Sequence, residues 1–551
     1  MKKVISCLCC LLILAGGLVF PVTAWESSLS FEETVANAIA NFDSSVDISE
    51  YGLSTDDAFE KVFEVIAAHP EFFYLNSAVS VTPRDQKAFR VNLSYIMTQQ
   101  EANEAQEGID GYLNPYIFDP IAAAEKNGHP FSDLQKVLFV HDTIVRDFFY
   151  DARILQENGS SVTVSRDIAT FINGKLKSGV SAEEATVDDY IIPAHTGVCE
   201  AYAKLFLYCM NRLGIPADLV SSSQGNHAWN TVLVEGNWYH IDCTYDDPIQ
   251  TGLGYVGHGF FLLSTGEMYA ADNGGQGAHR SDWVSLTGQN HDCVTSFSAP
   301  LIRATITPFV PDLSGNWYFI GVSEKLPEVG YSETAYLERT GDLQTAEKLS
   351  SFPAYWRIVG NPGQIFPGPY SGLFSHNGRM IYNSDDQVLV YSPKTGKTYA
   401  VYKSDPTQFY IYGMLGDSES GESLLYLAKR ADDGEPSLVM ITLCANSHEA
   451  LSDWVTVKEA TETQRGTRIK TCDICGRVAV EQTLPKIGEA PIGDLNGDGS
   501  VDTADLSILK KHLAGLQADP AGNTDCNSDG RTDTADLALL KKYLANLVPA
   551  L

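Results

Sequence analysis

Three residues midway along this chain are of the types that thiol catalysis uses. They are Cys199 in "HTGVCEAYAKLFLYCMNRLGIP", His227 in "GNHAWN" and Asp242 in "NWYHIDCTYDDP". A thiol attacks well only as a thiolate; an imidazole can take its proton, and a carboxylate can orient and charge that imidazole. A second set of chemistry-bearing residues lies near the C-terminus. "DLNGDGSVDTADLSILKKHLAGL" from Asp494 returns 31 residues later as "DCNSDGRTDTADLALLKKYLANL" from Asp525. In the first copy Asp494, Asn496 and Asp498 hold loop positions 1, 3 and 5, Gly499 follows, Ser500 offers a carbonyl at 7, and Asp505 stands at 12. Asp525, Asn527, Asp529, Gly530, Arg531 and Asp536 repeat the arrangement. A hard cation wants such alternating oxygens, and glycine permits the sharp turn, so each copy is expected to bind one Ca2+.

The thiol needs an element that activates it. Val198, Ala201, Tyr202, Leu205, Phe206, Cys209 and Leu213 recur at helical intervals, and Gly214 with Pro216 stops the helix. Gly197 allows close entry, which places Cys199 in the first turn, where unpaired amides and the dipole favour a thiolate. Downstream, two alternating runs flank Glu235-Gly236-Asn237 and predict a hairpin. A Glu235-Gly236 turn would pair Asp242 with Trp229 and set His227 diagonally from Asp242 on one face. A Gly236-Asn237 turn keeps that face but separates them, and a three-residue loop puts them on opposite faces.

The wider chain sets limits. Its 551 residues are too many for one core. Lys and Arg total 38 against 70 Asp and Glu, a formal charge of −32 that argues against nucleic acid or an anionic membrane as partner. "MKKVISCLCCLLILAGGLVFPVTA" reads as a secretory signal peptide over 1–24, with no membrane span expected after cleavage and a secreted, extracellular location. Eight cysteines then remain, too few for a disulfide scaffold.

A mixed, largely helical region is expected over 25–130, with His141, on an apolar helical face just beyond it, read as a packed structural residue. The unit that carries Cys199, His227 and Asp242 is expected over 131–298. Over 299–445 strand pairs such as "GNWYFIGV" and "ESLLYLAKRADDGEPSLVMITL" recur at roughly 50 residues, like a few propeller blades in an accessory domain. A connector over 446–490 holds Cys472 and Cys475 as a lone C-x-x-C with no second pair nearby in sequence. A local disulfide, half a degenerate ribbon, or a partner elsewhere are all open for it. The calcium-binding module spans 491–551.

"GVCEAYAKLF", "NHAWN" and "WYHIDCTYDDP", with "HGFFLLS" after them, resemble the transglutaminase-like superfamily across about residues 131–295. The resemblance implies a papain-like α+β core with Cys199 as nucleophile, His227 as base and acid, and Asp242 as orienting partner. It also implies chemistry through an acyl-thioester on a peptide or protein substrate, by peptidase, amidase or crosslinking transferase, or else an inactive fold kept for binding. Animal members place an indole upstream of the cysteine, but this chain has no tryptophan between Trp25 and Trp229. Cys243 stands where relatives often carry proline, and whether it pairs with Cys209 or Cys293 is open.

The C-terminal duplication, with aspartate closing each loop and no room for an entering helix, resembles the type I dockerin, a small all-α module. That implies calcium-dependent folding and docking to a cohesin module on a scaffold protein, in bacterial complexes that degrade plant polysaccharide. Thr503-Ala504 and Thr534-Ala535 match the partner-selecting positions, with Lys510, Lys511, Lys541 and Lys542 in support. No glycosidase carboxylate pair stands out, so a role in polysaccharide breakdown rests on association through the dockerin.

Overall fold

A computed structural model describes residues 29–551 except 156–161, 178–189, 248–253, 290, 313, 324–332, 359–360, 368–370, 406–407, 418–421, 429–436, 445–447, 449, 485, 488–490, 518, 546 and 549–550. The proposed signal peptide lies outside the described residues. Among these, no helix is long and apolar enough to cross a membrane.

The chain divides into two compact units at Thr98. The first has helices Phe31–Ala40 and Thr55–Ala68 and a three-stranded antiparallel sheet with Lys87–Asn92 at its centre. Ser30 and Ser54 cap the two helices, and Val35, Ile39, Val62 and Val91 are fully buried beneath them.

In the second unit, the helix Gln99–Leu113 belongs with the α+β core, although the sequence reading grouped it with the N-terminal region. Asn173 donates to the Ala105 carbonyl at 3.0 Å, and Gln106 donates to Tyr208 at 2.9 Å. The central sheet is antiparallel, in the order Asn237–Ile241, His227–Val234, Ala217–Ser222, Val284–Ser285. The helix Cys199–Leu213 packs on it through the apolar positions read from the sequence, and Gly214 ends it in the left-handed region at φ 70°. Asn230, buried in the strand, donates both to Ala203 of that helix (3.0 Å) and to Asp218 (3.1 Å), tying helix to sheet.

The hairpin closes through Glu235 and Gly236, both at positive φ (51° and 80°), as a type I′ turn demands. Asn237 therefore pairs with Val234 and Ile241 with Asn230. This is the register that sets His227 and Asp242 on one face.

The helix Asp133–Asp147, capped by Ser132 and Gln135, carries His141 fully buried. Its Nδ1 meets Asp142 at 2.9 Å and its Nε2 meets Asp246 at 3.1 Å, while His258 bonds Asp142 at 2.9 Å. Burial opposes charging His141, but the two carboxylates overcome it and raise its pKa to about 9. Asp142 is likewise opposed by burial yet falls to about 2 through His258 and His141. His141→Ala is expected to cost about 3 kcal/mol, because it strands buried carboxylates. The raised His141 pKa contributes stability that is whole below pH 6.5 and lost as pH rises through about 9. The lowered Asp142 pKa contributes stability present above pH 3.8 and lost as pH falls through about 2. Urea melts of both proteins between pH 4 and 9 should show their difference largest near pH 4–6.5 and shrinking toward 9.

Beyond residue 300 the chain is built of antiparallel meanders. Sheets of four strands (Val310–Pro311 to Glu347–Pro353, and Leu373–His376 to Lys397–Lys403) alternate with a two-stranded and then a three-stranded one, and neighbours in space are neighbours in sequence. The expected connector is not bare chain: Val455–Lys458, Gly466–Thr471 and Val478–Leu484 form a three-stranded antiparallel sheet. Helices Thr503–Leu513 and Thr534–Leu544 follow, packed through Leu509 and Leu540.

Candidate active site

Cys199 is the first residue of its helix, after Val198 in extended conformation. The approach is tight: a Cβ on Gly197 would meet the Phe171 ring at 2.7 Å and Ala201 Cβ at 3.1 Å, so any side chain there would push the thiol out of place. Phe149–Tyr150 runs parallel to Thr196–Gly197 and holds it, with the Asp151 amide donating to the Gly197 carbonyl at 2.8 Å.

Asp242 is fixed from two sides. It caps the short helix Cys243–Asp246, so Oδ1 accepts the Thr244 and Tyr245 amides at 2.8 and 3.2 Å. That leaves Oδ2, which accepts from His227 Nε2 at 2.6 Å and His279 Nε2 at 2.8 Å. Burial opposes its charge, but the His227 imidazolium and these bonds hold the carboxyl well below its usual range.

The same contacts act on His227. Burial alone would lower its basicity; the Asp242 carboxylate and the neighbouring Cys199 thiol instead raise its pKa to about 10. With Nε2 committed to Asp242, Nδ1 is left to exchange a proton with Cys199. The ring is held between Trp229 (centroids 5.7 Å apart), Tyr245 (5.1 Å) and His279 (5.1 Å). Tyr150 also feels this site: burial, then the charges of Cys199 and Asp242, raise its pKa.

The structure thus brings Cys199, His227 and Asp242 together, and adds a residue that sequence reasoning missed. His279 is fully buried and anchored by Asp272, which accepts from its backbone amide at 2.7 Å and from its Nδ1 at 3.0 Å. The only sequence signal was a histidine in a glycine-rich loop, "NGGQGAHRSDW", with no periodicity to place it. His279→Ala is expected to lower kcat about tenfold with KM unchanged, a fraction of the 10²–10⁴ that a general base supplies. The check is steady-state kinetics with a pH profile, since a packing defect alone would not move the alkaline limb.

His227, Asp242 and His279 place their ligand atoms within 4.8 Å of one another, as do His141, Asp142 and His258. In each trio one carboxylate oxygen bridges two imidazoles at hydrogen-bond distance, so both are satisfied without an ion. Cys209, Cys243 and Cys293 are buried free thiols, so neither disulfide considered for Cys243 forms. A cavity of about 720 Å³ lined by Tyr116, Phe139, Arg146, Phe309 and Arg339 includes no residue of the triad, and we assign it no part in the chemistry.

Residues 150–243 match the transglutaminase-like superfamily, and residues 492–545 match the dockerin type I domain. The chain carries a transglutaminase-like domain followed by a type I dockerin. Solved structures with some likeness include one described as a TGase (16% identity, 31% of this chain and 44% of that one, TM-score 0.16). Others are a candidate cysteine protease from Cytophaga hutchinsonii (17%, 30% and 61%, 0.14) and a candidate protease from Parabacteroides distasonis (11%, 60% and 64%, 0.18). This chain spans 44 to 64% of the length of those structures. No curated protein matches it.

Type I dockerins typically bind calcium, and the loops here fit that ion. Asp494 and Asp505 are 1% and 0% exposed, and Asp536 is 0% exposed. Their hydrogen-bond partners are backbone amides, not cations: Gly497 and Gly499 on Asp494, Leu495, Asn496 and Asp502 on Asp505, and Cys526, Asn527 and Asp533 on Asp536. Carboxylates buried beside further carboxylates call for a counter-ion, and an all-oxygen set suits a hard one. Asn496, Asp498 and Ser500 in one loop, and Asp525, Asn527, Asp529 and Arg531 in the other, are linked along each loop by amide-to-side-chain bonds such as Ser500 to Asp498 and Arg531 to Asp529, both 2.9 Å. Thr503, Ala504, Thr534, Ala535 and the four lysines are all exposed, in equivalent places on the two helices.

Proposed function

We propose that this chain is a secreted cysteine hydrolase that cleaves a peptide or amide bond through an acyl-thioester on Cys199, held on a scaffold by its dockerin. The observation that supports the reading is the 2.6 Å bond from His227 to Asp242 beside a thiol at a helix start. On this reading His227 takes the Cys199 proton to give a thiolate–imidazolium pair. The sulfur attacks the substrate carbonyl carbon, and the oxygen that gains charge faces the Cys199 amide at the helix N-terminus. His227 Nδ1 then returns its proton to the leaving amine as the C–N bond breaks. Water, deprotonated by the same nitrogen, attacks the thioester and releases the acid and the thiol.

The dockerin implies a cohesin partner, and we place the chain in a cellulosome-type assembly. There it would process proteins of the complex or its surroundings. Its link to polysaccharide breakdown is by association, not by chemistry of its own.

The test is the rate of Cys199 alkylation by iodoacetamide from pH 4 to 9, mapped by mass spectrometry, in the native chain and in His227→Ala. Rapid labelling below about pH 7 that the variant loses supports the ion pair. Labelling that rises only near pH 8.5 in both would sink the enzyme reading and leave a binding module. Should the pair be present, added primary amines that enter the product in place of water would redirect the assignment to acyl transfer.

A further inference from the structure

We infer that Cys444, His448, Cys472 and Cys475 form a structural zinc site, which the fold assembles from two segments far apart in sequence. Cys444 sits just after the strand Ser437–Thr442, with His448 four residues on. Cys472 and Cys475 occupy the turn between Gly466–Thr471 and Val478–Leu484. By sequence the C-x-x-C has no second pair beside it. The sheets bring one there: one ligand atom from each of the four residues lies within 4.8 Å of all the others.

The separations are those of a metal tetrahedron and not of a disulfide. Cys444 Sγ is 3.6 Å from Cys472 Sγ, and Cys475 Sγ is 3.4 Å from His448 Nδ1. Four ligands around zinc at about 2.3 Å (sulfur) and 2.0 Å (nitrogen) would stand about 3.8 Å apart for sulfur pairs and about 3.6 Å for sulfur and nitrogen. A disulfide needs about 2.05 Å. Three thiolates and an imidazole select zinc over the hard cation of the dockerin loops. Four protein ligands also close the site to water or substrate, so its role is structural.

The surroundings hold the knuckle ready. The Gly476 amide donates to the Cys472 carbonyl at 2.9 Å, and Gly476 has φ 74° with the Asn377 Cβ only 2.4 Å from where a side chain would begin. Asn377 donates to the Cys475 carbonyl at 3.0 Å, and Arg379 to the carbonyls of Asp473 and Cys472 at 3.0 and 3.1 Å. Asp473 and Ser452 complete the joint through backbone bonds to Ala450 and Thr471.

The small sheet also needs such a staple. All residues of Val455–Lys458 are exposed, and neither other strand contributes a buried side chain beyond Gly466. Between 450 and 487, the described hydrophobic residues that are buried are Cys472 and Cys475 alone. A sheet without a core of its own gains its stability from the ion, which ties it to the meander before it.

The experiment uses the full chain, produced with zinc in the medium and dialysed against zinc-free buffer. Elemental analysis should give about one zinc per chain, absent in Cys472→Ser and in His448→Ala and kept in Cys293→Ser. Because misfolding would cost a variant its zinc just as a missing ligand would, the native chain is also loaded with Co2+. A thiolate-to-cobalt charge-transfer band with tetrahedral d–d bands, displaced by one equivalent of zinc, supports the site without any substitution. A native chain without zinc, zinc unchanged in both ligand variants, or a Cys444–Cys472 disulfide in the purified protein would overturn it.

Discussion

Asp242→Asn is expected to lower kcat about 10⁴-fold while leaving the fold intact. The amide is isosteric, so it can still cap the helix Cys243–Asp246 through its oxygen. It brings no charge, however. In the native site the carboxylate overcomes the burial of His227 and raises its pKa to about 10. Without the carboxylate only the Cys199 contacts oppose burial, and the pKa falls from about 10 toward the ordinary 6.5. At pH 7 the imidazolium that stabilises the thiolate would be largely gone. The pH profile carries the sign: native activity on any peptide or amide substrate should fall on its alkaline side near pH 10, and the variant's residual activity at a lower pH, toward 6.5. Kinetics of both proteins across pH 5 to 11, with thermal melts to show that each is folded, are the check. An alkaline limb that stays in place in the variant would remove Asp242 from the chemistry.

Removal of calcium is expected to abolish scaffold binding and melt the C-terminal helices. Each loop carries aspartates at its positions 1, 5 and 12, and the buried ones, Asp494, Asp505 and Asp536, accept from backbone amides. Without a cation they repel one another. The two helices share a small core of Leu495, Leu509, Cys526 and Leu540, too small to offset that repulsion. At free calcium about 1,000-fold above its Kd, each ion stabilises the folded form by about 4 kcal/mol, so chelation forfeits most of the module's stability. Hydrogen exchange of the full chain with and without a calcium chelator should show protection lost over Thr503–Leu513 and Thr534–Leu544 and kept over Cys199–Leu213. Binding to a cohesin module should fall at least 10³-fold under the same conditions, and in the double variant Asp494→Ala/Asp525→Ala. Binding that survives chelation would sever calcium from docking.

Local spacing made part of this protein legible. The helix Cys199–Leu213 could be read because its apolar positions recur every three to four residues and Gly214 stops it. The hairpin could be read as a hairpin, but three registers were open. The choice fell to Glu235 and Gly236, which both take left-handed φ and so close a two-residue turn. The duplicated acidic loops stood out because all their candidate calcium ligands lie within a dozen consecutive residues.

What spacing could not reach is whatever the chain assembles across long separations. His279 meets Asp242 from 37 residues away, from a loop whose sequence has no period. Cys444 and Cys472 are 28 apart, and nothing in either segment names the other as partner. The sequence by itself determined the helix Cys199–Leu213, the hairpin after it and the two acidic loops, because helix, turn and loop geometry depend on neighbours in the chain. Only the tertiary structure decided which carboxylate charges which imidazole and which thiols share a point in space. Those contacts depend on sheet order and register, which follow from burying apolar faces against one another and leave no local mark on the residues they bring together.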